Sequence, residues 1–333
     1  MSTAHFAKQL TYLYEDPNRF ESLALEIFLY QANTNKVYAE YIDLLGIKPD
    51  TIKKVTEIPC LPISFFKNKS IISGNWAPKM NFTSSGTGQA DMQSKHAVKN
   101  PAFYLENTVR GFQHFFGKVN KYCFLALLPS YLEREGSSLV YMLEHFISMS
   151  DYSQSGFYLN NFDKLRQTLL ECKSKGIPTI LFGVPFGLLD FGEWSEMDLS
   201  DVIIFETGGM KGRRKELTKP ALYKLIHQYF TPKSIYSEYG MTEMFSQAYS
   251  TEIGLFSPAP SMDIFIRELN DPFHYQNFGR IGALNVIDLA NFATLSFIAT
   301  DDLGLKHQNG TFEIMGRLDN SDLRGCNLLI QEI

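Results

Sequence analysis

Between residues 122 and 243 one pattern repeats: an apolar strand-like run, a turn that carries Gly or Pro, and a helix-like stretch. The strand-like runs are 122–130, 179–191, 201–217 and 234–243, and the helix-like stretches are 136–147, 162–175 and 219–230. Alternating strands and helices predict a parallel sheet with right-handed crossovers. Ligands of such sheets bind at the carboxyl ends of the strands, so the polar turns there are candidate sites.

The flanking regions have a different character. Residues 1–48 and 101–116 show helical periodicity, and the Pro-punctuated segment 58–69 reads as a crossing segment. Beyond residue 260 the strand-like pieces become shorter, which predicts an antiparallel or barrel-like lobe. The expected fold class is therefore α/β with a smaller β-rich part.

The bulk composition excludes several classes of protein. The chain has 333 residues, 44% hydrophobic and 20% charged, with a net charge of −5, and its pI is near 5.8. One large domain with lobes, or two domains, is expected at this length. The negative net charge gives no electrostatic attraction for nucleic acid. Because there is no secretion signal pattern and no apolar run of about 20 residues, we expect a cytoplasmic, soluble protein without a membrane span.

Cysteine and histidine spacing indicates no metal site and no disulfide framework. The four cysteines are Cys60, Cys123, Cys172 and Cys326, and no two form a CxxC pair. The first three lie in apolar contexts and read as core residues. The histidines, among them His96, His145 and His307, lack metal-ligand spacing, and we interpret each as structural or exposed.

A run of hydroxyl residues and glycines, "TSSGTGQ" at 83–89, can surround a phosphate with backbone N–H groups and hydroxyl donors. It does not fit the GxxxxGK[ST] loop of the common NTPases. Taken alone, the run is a weak signal, and a plain surface loop is the favoured interpretation.

Three further motifs follow in order: "SEYGMTE" at 237–243, "TDDLG" at 300–304 and "GRLDNSDLRG" at 316–325. Each alone could be a strand end, a turn or a solvated charged face. Together with the 83–89 run, they resemble the phosphate loop, YGxTE, TGDLG and GRxD elements of the adenylate-forming superfamily, in the same order. Within it, 127–142 and 323–329 resemble the acyl-protein synthetases of the bacterial luminescence fatty-acid reductase complex.

The resemblance implies the large-domain fold of that superfamily, with two α/β subdomains and a small β-barrel-like lobe. We expect the large domain at 1–315, with the α/β subdomains to about residue 255 and the β-rich lobe at about 256–315. Residues 316–333 would be the hinge and a short tail that stands for a truncated C-terminal domain.

The resemblance also implies roles for individual residues. The ATP phosphates would be held by Thr83, Ser84, Ser85, Gly86, Thr87 and Gly88. Tyr239 would stack on adenine, with Gly240 beside it in the nucleotide-binding set, Thr242 would touch the α-phosphate and Glu243 would hold Mg²⁺. Asp302 would bind the ribose hydroxyls, although Asp301 is a rival, and Arg317 would lie near the ribose. Asp319 falls at the hinge. Gly208 and Gly209 resemble the segment beside adenine, with a plain strand-to-helix turn as the alternative.

The C-terminus departs from the family pattern. Ordinary members continue into a small domain with a catalytic lysine, whereas this sequence ends at Ile333. Adenylation would proceed without that lysine or with a basic group from elsewhere in the chain. Lys211, Arg213 and Arg214 are candidates for this group, and the alternative is that they are solvated surface charges. The resemblance makes Cys326 an acyl acceptor, and Arg324 could lower its pKa. A buried structural cysteine is the alternative.

The predicted function is ATP-dependent activation of a carboxylic acid, a fatty acid by resemblance, to an acyl-adenylate. The acyl group would then move to Cys326 and on to a reductase partner. One alternative is a ligase that delivers the acyl group to coenzyme A or a carrier protein. Another is a nucleotide-binding protein without catalysis.

Overall fold

A computed structural model describes residues 3–84, 93–128, 135–159, 161–210, 214–215 and 217–318. The helices are α1 (Thr3–Leu13), α2 (Phe20–Thr34), α3 (Lys36–Leu44), α4 (Phe65–Asn68), α5 (Pro101–Phe116), α6 (Ser138–Met149), α7 (Phe162–Lys175), α8 (Pro185–Trp194) and α9 (Lys219–Phe230). The strands are β1 (Leu61–Pro62), β2 (Met80–Thr83), β3 (Lys95–Val98), β4 (Cys123–Leu127), β5 (Gly156–Phe157), β6 (Thr179–Gly183), β7 (Val202–Thr207), β8 (Ser234–Tyr239), β9 (Ala248–Glu252), β10 (Leu255–Pro258), β11 (Met262–Arg267), β12 (Gly282–Asp288), β13 (Phe297–Lys306) and β14 (Phe312–Arg317).

Twelve of the described strands form one sheet, in the order β11-β12-β13-β14-β10-β9-β8-β7-β6-β4-β5, with β1 paired to β13. The strands β8, β7, β6, β4 and β5 run parallel to one another. Helices α6 to α9 connect them along the chain. The parallel sheet predicted from the alternating pattern is therefore confirmed.

The other part of the sheet has the order β8-β9-β10-β14-β13-β12-β11, and each strand there pairs with the next in the antiparallel sense. The predicted antiparallel character beyond residue 260 is thus confirmed, and the sheet continues from the parallel strands into these strands through β8 and β9. The domain boundaries near residues 255 and 315 stay a prediction. Strands β2 and β3 form a separate antiparallel hairpin.

Three helices, α5, α7 and α9, begin and end at the residues that the sequence predicts. Helix α5 spans 101–116 and begins with Pro101, whose missing N–H costs nothing in a first helical turn. Helix α7 spans 162–175, because Asn161 caps its start by accepting from the Lys164 backbone N–H. Gly176 ends it in the left-handed conformation at φ 62°.

One predicted strand is wrong over most of its length. The sequence favours an extended run at 179–191, whereas β6 ends at Gly183 and α8 begins at Pro185. Proline is well suited to the first helical position. The apolar residues of α8 are buried almost throughout, so the helix lacks the amphipathic alternation that would distinguish it from a buried strand.

The main core lies between the sheet and the helices. The ring of Phe112 on α5 packs against Phe124, Phe146 and Phe205, with centroid distances of 5.7, 5.2 and 6.1 Å. Full burial of each such ring stabilises the fold by about 1.5–3 kcal/mol. Among the described helices, none has the length and apolar character needed to cross a membrane.

Candidate active site

The carboxyl ends of β7 and β8 lie side by side. Thr207 pairs with Glu238 in the register of these parallel strands, and the hydroxyl of Thr207 donates to the Glu238 carboxylate. Gly208 and Gly209, which follow β7, therefore lie at the same sheet edge as Tyr239 and Gly240, which end and follow β8. This edge is where parallel sheets bind ligands.

Tyr239, Asp302 and Arg317 form one hydrogen-bonded cluster at this edge. The Tyr239 hydroxyl donates to Asp302 Oδ2 at 2.8 Å, and Arg317 Nε donates to Asp302 Oδ1 at 2.9 Å. The register of β13 and β14 places Asp302 opposite Arg317. The Asp302 side chain is 8% exposed, whereas that of Arg317 is 69% exposed. A cation thus faces solvent above a buried carboxylate.

Asp302 and its neighbour Asp301 point to opposite faces of β13, as successive residues of a strand do. Asp302 is buried and Asp301 is half-buried. The hydrogen bonds described above go to Asp302, while the backbone carbonyl of Asp301 accepts from Leu318 N at 2.7 Å. The geometry therefore favours Asp302 over Asp301 as the acid of this cluster.

Glu243 lies within the electrostatic reach of the same cluster. The residue is 5% exposed. Burial raises the pKa of its carboxyl, which a hydrogen bond from the Ser94 side chain and the positive charge of Arg317 partly oppose. A carboxylate oxygen is the kind of hard ligand that Mg²⁺ accepts.

The base of the Ser/Thr/Gly segment adjoins Glu243. Ser84 and Ser94 are joined by two hydrogen bonds, Ser84 N to Ser94 O at 3.1 Å and Ser94 N to Ser84 Oγ at 2.9 Å. Thr83 N donates to Gly136 O at 2.8 Å. A Cβ at Gly136 would lie 2.6 Å from Thr83 Oγ1, so this close approach requires glycine. Ser94 thus contacts both Ser84 and Glu243.

Several predicted site residues lie outside the described residues. They are Ser85, Gly86, Thr87 and Gly88 of the Ser/Thr/Gly segment, Asp319, Cys326, and the basic residues Lys211 and Arg213. The remaining basic candidate, Arg214, donates through Nε to Asp190 at 3.0 Å and through Nη1 to Glu193 at 2.7 Å, both on α8. The thiols of Cys60, Cys123 and Cys172 are buried.

The side chains present fit a magnesium nucleotide in chemical type. Glu243 offers a hard carboxylate oxygen, Asp302 offers acceptors for ribose hydroxyls, and Arg317 offers an accessible cation beside them. Within the described part of the chain, no group of three or more His, Cys, Asp and Glu side chains could hold a metal by itself. A magnesium ion there would take its other ligands from phosphates and water.

Sequence reasoning missed two features of this region. His96 binds the backbone of Thr242, and Asn291 binds the backbone of Glu243. No local pattern indicates either contact, because each joins residues far apart along the chain. The buried acids Glu206 and Glu238, at the ends of β7 and β8, were also missed. Their position at the carboxyl ends of apolar strands was a sequence signal that could have indicated them.

Comparisons with known proteins identify the fold. No protein-family model matches the chain, and no curated protein sequence matches it. An open-conformation structure of 2-hydroxyisobutyryl-CoA ligase with 2-HIB-AMP and CoA is similar over 90% of this chain and 69% of that chain, with 11% identity and a TM-score of 0.66. The same ligase in its postadenylation state with R3-HIB-AMP is similar over 92% of this chain and 68% of that chain, with 11% identity and a TM-score of 0.67.

ATP-bound MatB from Rhodopseudomonas palustris is similar over 73% of this chain, with 14% identity and a TM-score of 0.53. The match spans 49% of the MatB chain. At these identities the likeness concerns the fold, and the chain has the fold of adenylate-forming enzymes. The predicted fold class is confirmed.

Proposed function

We propose that this protein is a cytoplasmic, ATP-dependent, AMP-forming ligase that activates a carboxylic acid and transfers its acyl group to a thiol. The observation that carries the proposal is the convergence of three separate chain segments at one sheet edge. The hairpin at Ser84 and Ser94, the Thr242–Glu243 segment, and the Asp302–Arg317 strand pair meet there. The likeness of fold to ligases supports it.

In the proposed first step, a carboxylate oxygen of the acid attacks the α-phosphorus of ATP. The bond from that phosphorus to the oxygen bridging to the β-phosphate breaks, and pyrophosphate leaves with the electron pair. The Thr242 hydroxyl would donate to an α-phosphate oxygen, and the Glu243 carboxylate would ligate Mg²⁺. The metal, when bound, neutralises phosphate charge. Asp302 would accept from ribose hydroxyls, with Arg317 beside the ribose. Positioning and charge neutralisation supply most of the acceleration in such a reaction.

In the second step, a thiolate sulfur attacks the acyl carbon and AMP leaves. We propose that the acid is a fatty acid, that the thiol is Cys326, and that a reductase partner receives the acyl group, as in the luminescence acyl-protein synthetases. The alternative acceptor is coenzyme A or a carrier-protein thiol. The fold similarity to a ligase whose structure holds CoA favours keeping that alternative.

Acid-dependent pyrophosphate release, screened with short-chain, long-chain and aryl acids, tests the first step. We expect release that requires ATP, Mg²⁺ and one class of acid. ATP binding without release for any acid would contradict the proposal and support a non-catalytic nucleotide-binding protein.

Labelled acid and ATP, followed by intact mass, test the acceptor. We expect a hydroxylamine-sensitive adduct on the wild type that is absent from Cys326→Ser and retained in Cys172→Ala, the control at a buried thiol. An adduct-free wild type that acylates added coenzyme A would replace Cys326 with the external acceptor.

A further inference from the structure

The backbone carbonyls of Thr242 and Glu243 are each held by a side chain from another part of the chain. His96 Nδ1 lies 2.9 Å from Thr242 O, and Asn291 Nδ2 donates to Glu243 O at 2.7 Å. His96 belongs to β3, and Asn291 follows β12. Both side chains are fully buried. Two successive peptide units next to the proposed nucleotide site are therefore fixed from the interior.

The contacts of His96 determine its tautomer. A carbonyl oxygen can only accept, so Nδ1 carries the hydrogen and donates to Thr242 O. Nε2 then has a lone pair and accepts from the Thr294 hydroxyl at 2.8 Å. Burial lowers the pKa of His96 to about 4, so the ring is neutral at ordinary pH, as this arrangement requires.

The anchors are themselves held firmly. The His96 ring packs against Phe245 at 4.7 Å and against Phe66 at 5.6 Å between centroids. The backbone carbonyl of Asn291 accepts from Gln31 Nε2 at 3.1 Å. A chain of buried hydrogen bonds thus runs from α2 to the Thr242–Glu243 segment. A side chain held this way transmits a fixed position to the backbone that it binds.

We propose that His96 and Asn291 are positioning residues that orient the Thr242–Glu243 peptide, so that the Thr242 hydroxyl and the Glu243 carboxylate face the phosphates and the magnesium ion. The inference rests on the proposed function. Rotation of either peptide unit would redirect the Cα–Cβ bond of Glu243 and move its carboxylate away from the cation. Neither His96 nor Asn291 would touch the substrate.

Substitution at position 96 separates positioning from packing. His96→Leu keeps an apolar side chain but loses the donor, whereas the amide nitrogen of His96→Asn can take the place of Nδ1. Loss of groups that orient a metal ligand costs about 10- to 100-fold in metal affinity or activity. We therefore expect His96→Leu to lower kcat for pyrophosphate release and to raise the Mg²⁺ concentration for half-maximal rate by about tenfold. The KM for the acid should stay unchanged.

Rescue by the conservative variant is the decisive readout. His96→Asn should restore kcat and the Mg²⁺ dependence to near wild type, and His145→Leu on α6 serves as the remote control. A merely structural role would lower thermal stability while leaving the Mg²⁺ dependence of the folded fraction unchanged. That result, or equal losses in His96→Asn and His96→Leu, would overturn the inference.

Thr294→Val covers the case in which His96→Leu does not fold. It removes the hydroxyl that donates to Nε2, so the ring hydrogen is no longer fixed on Nδ1. We expect a smaller decrease in kcat and a smaller rise in the Mg²⁺ concentration for half-maximal rate than in His96→Leu. Thr294→Ser should behave as the wild type. A wild-type Mg²⁺ dependence in Thr294→Val would then count against the inference.

Titration with Mg·ATP by calorimetry distinguishes failure of this inference from failure of the proposed function. If the wild type binds Mg·ATP but releases no pyrophosphate with any acid, the proposed function falls. The affinity for Mg·ATP then decides the inference, with a roughly tenfold loss expected in His96→Leu and recovery in His96→Asn. Absence of Mg·ATP binding in the wild type would overturn both.

Discussion

Glu238 is a buried carboxyl one residue before Tyr239, and its environment penalises the charged form. Burial raises the pKa of Glu238 to about 7, and the nearby Glu206 adds to the shift, while the Thr207 hydroxyl and the charge of Lys219 oppose it. Glu206 itself forms an ion pair with Lys219. The two acids therefore differ: Glu206 has a cation partner, and Glu238 has a hydroxyl.

This arrangement predicts a stability that depends on pH. In the unfolded chain a glutamate has its ordinary pKa of 4.5, and in the folded protein the pKa of Glu238 is about 7. The folded state binds the proton more tightly, so the stabilisation is fully present below pH 4.5 and is lost as pH rises through 7. The full loss is about 3 kcal/mol at 1.36 kcal/mol per unit of pKa.

Glu238→Gln removes the ionisable group but keeps an acceptor for Thr207. We expect the free energy of unfolding of the variant, relative to wild type, to increase between pH 5 and pH 8 by up to about 3 kcal/mol, measured by urea unfolding. The exposed Glu252→Gln on β9 serves as the control. A constant difference between variant and wild type across this pH range would contradict the assignment.

At the scale of elements, the pairing of β13 with β14 holds Asp302 opposite Arg317. Gly304, two residues along β13, lies so close to β14 that an added Cβ would be 1.9 Å from the Glu313 backbone oxygen. Side chains at this position cannot be accommodated without a shift of one strand. The strand pairing that holds Asp302 opposite Arg317 therefore depends on Gly304, which is not itself a candidate site residue.

Two Gly→Ala variants should have opposite effects for this reason. Gly304→Ala should destabilise the protein by roughly 1–3 kcal/mol through overpacking between β13 and β14. Gly111→Ala, within α5, meets its nearest atom at 3.8 Å, and should stabilise the protein by about 0.8–1 kcal/mol through helix propensity. Urea unfolding of both variants measures the two changes. If both variants changed the free energy of unfolding in the same direction, the space around the added Cβ would not explain the effects at these positions.

At the scale of the whole molecule, the same sheet carries the parallel strands and the antiparallel strands. Tyr249 on β9 pairs with Glu238 on β8 and packs against Phe116 and Phe205, with centroid distances of 5.3 and 6.2 Å. The N-terminal helices join the same core, since Gln31 on α2 accepts from Ser296 N at 3.1 Å. The antiparallel strands enclose a second cluster of buried apolar side chains, among them Phe256, Ile264 and Phe312, and Met241 packs against both clusters.

A continuous sheet predicts cooperative unfolding. We expect differential scanning calorimetry to show one transition, with equal calorimetric and van't Hoff enthalpies. Limited proteolysis provides the check, because a protease-resistant fragment containing only β10 to β14 would demonstrate an independent unit. Two resolved transitions would contradict the prediction in the same way.

The parts predicted from sequence are those that depend on short stretches of chain. The sequence predicted the limits of α5 and α7, and the structure places Pro101 and Gly176 at two of these limits, because helical hydrogen bonds and caps join residues a few positions apart. The alternating pattern also predicted the parallel sheet. The order of the four motifs indicated the fold of adenylate-forming enzymes, and their roles in binding stay a prediction.

Only the tertiary structure decided which residues meet at the candidate site. The choice of Asp302 over Asp301 depends on which face of β13 turns toward Tyr239, 63 positions earlier in the chain. The contact from His96 to Thr242 spans 146 positions. Such contacts are set by how whole elements pack against one another, and packing that brings distant segments together leaves no periodic or local signal in the sequence.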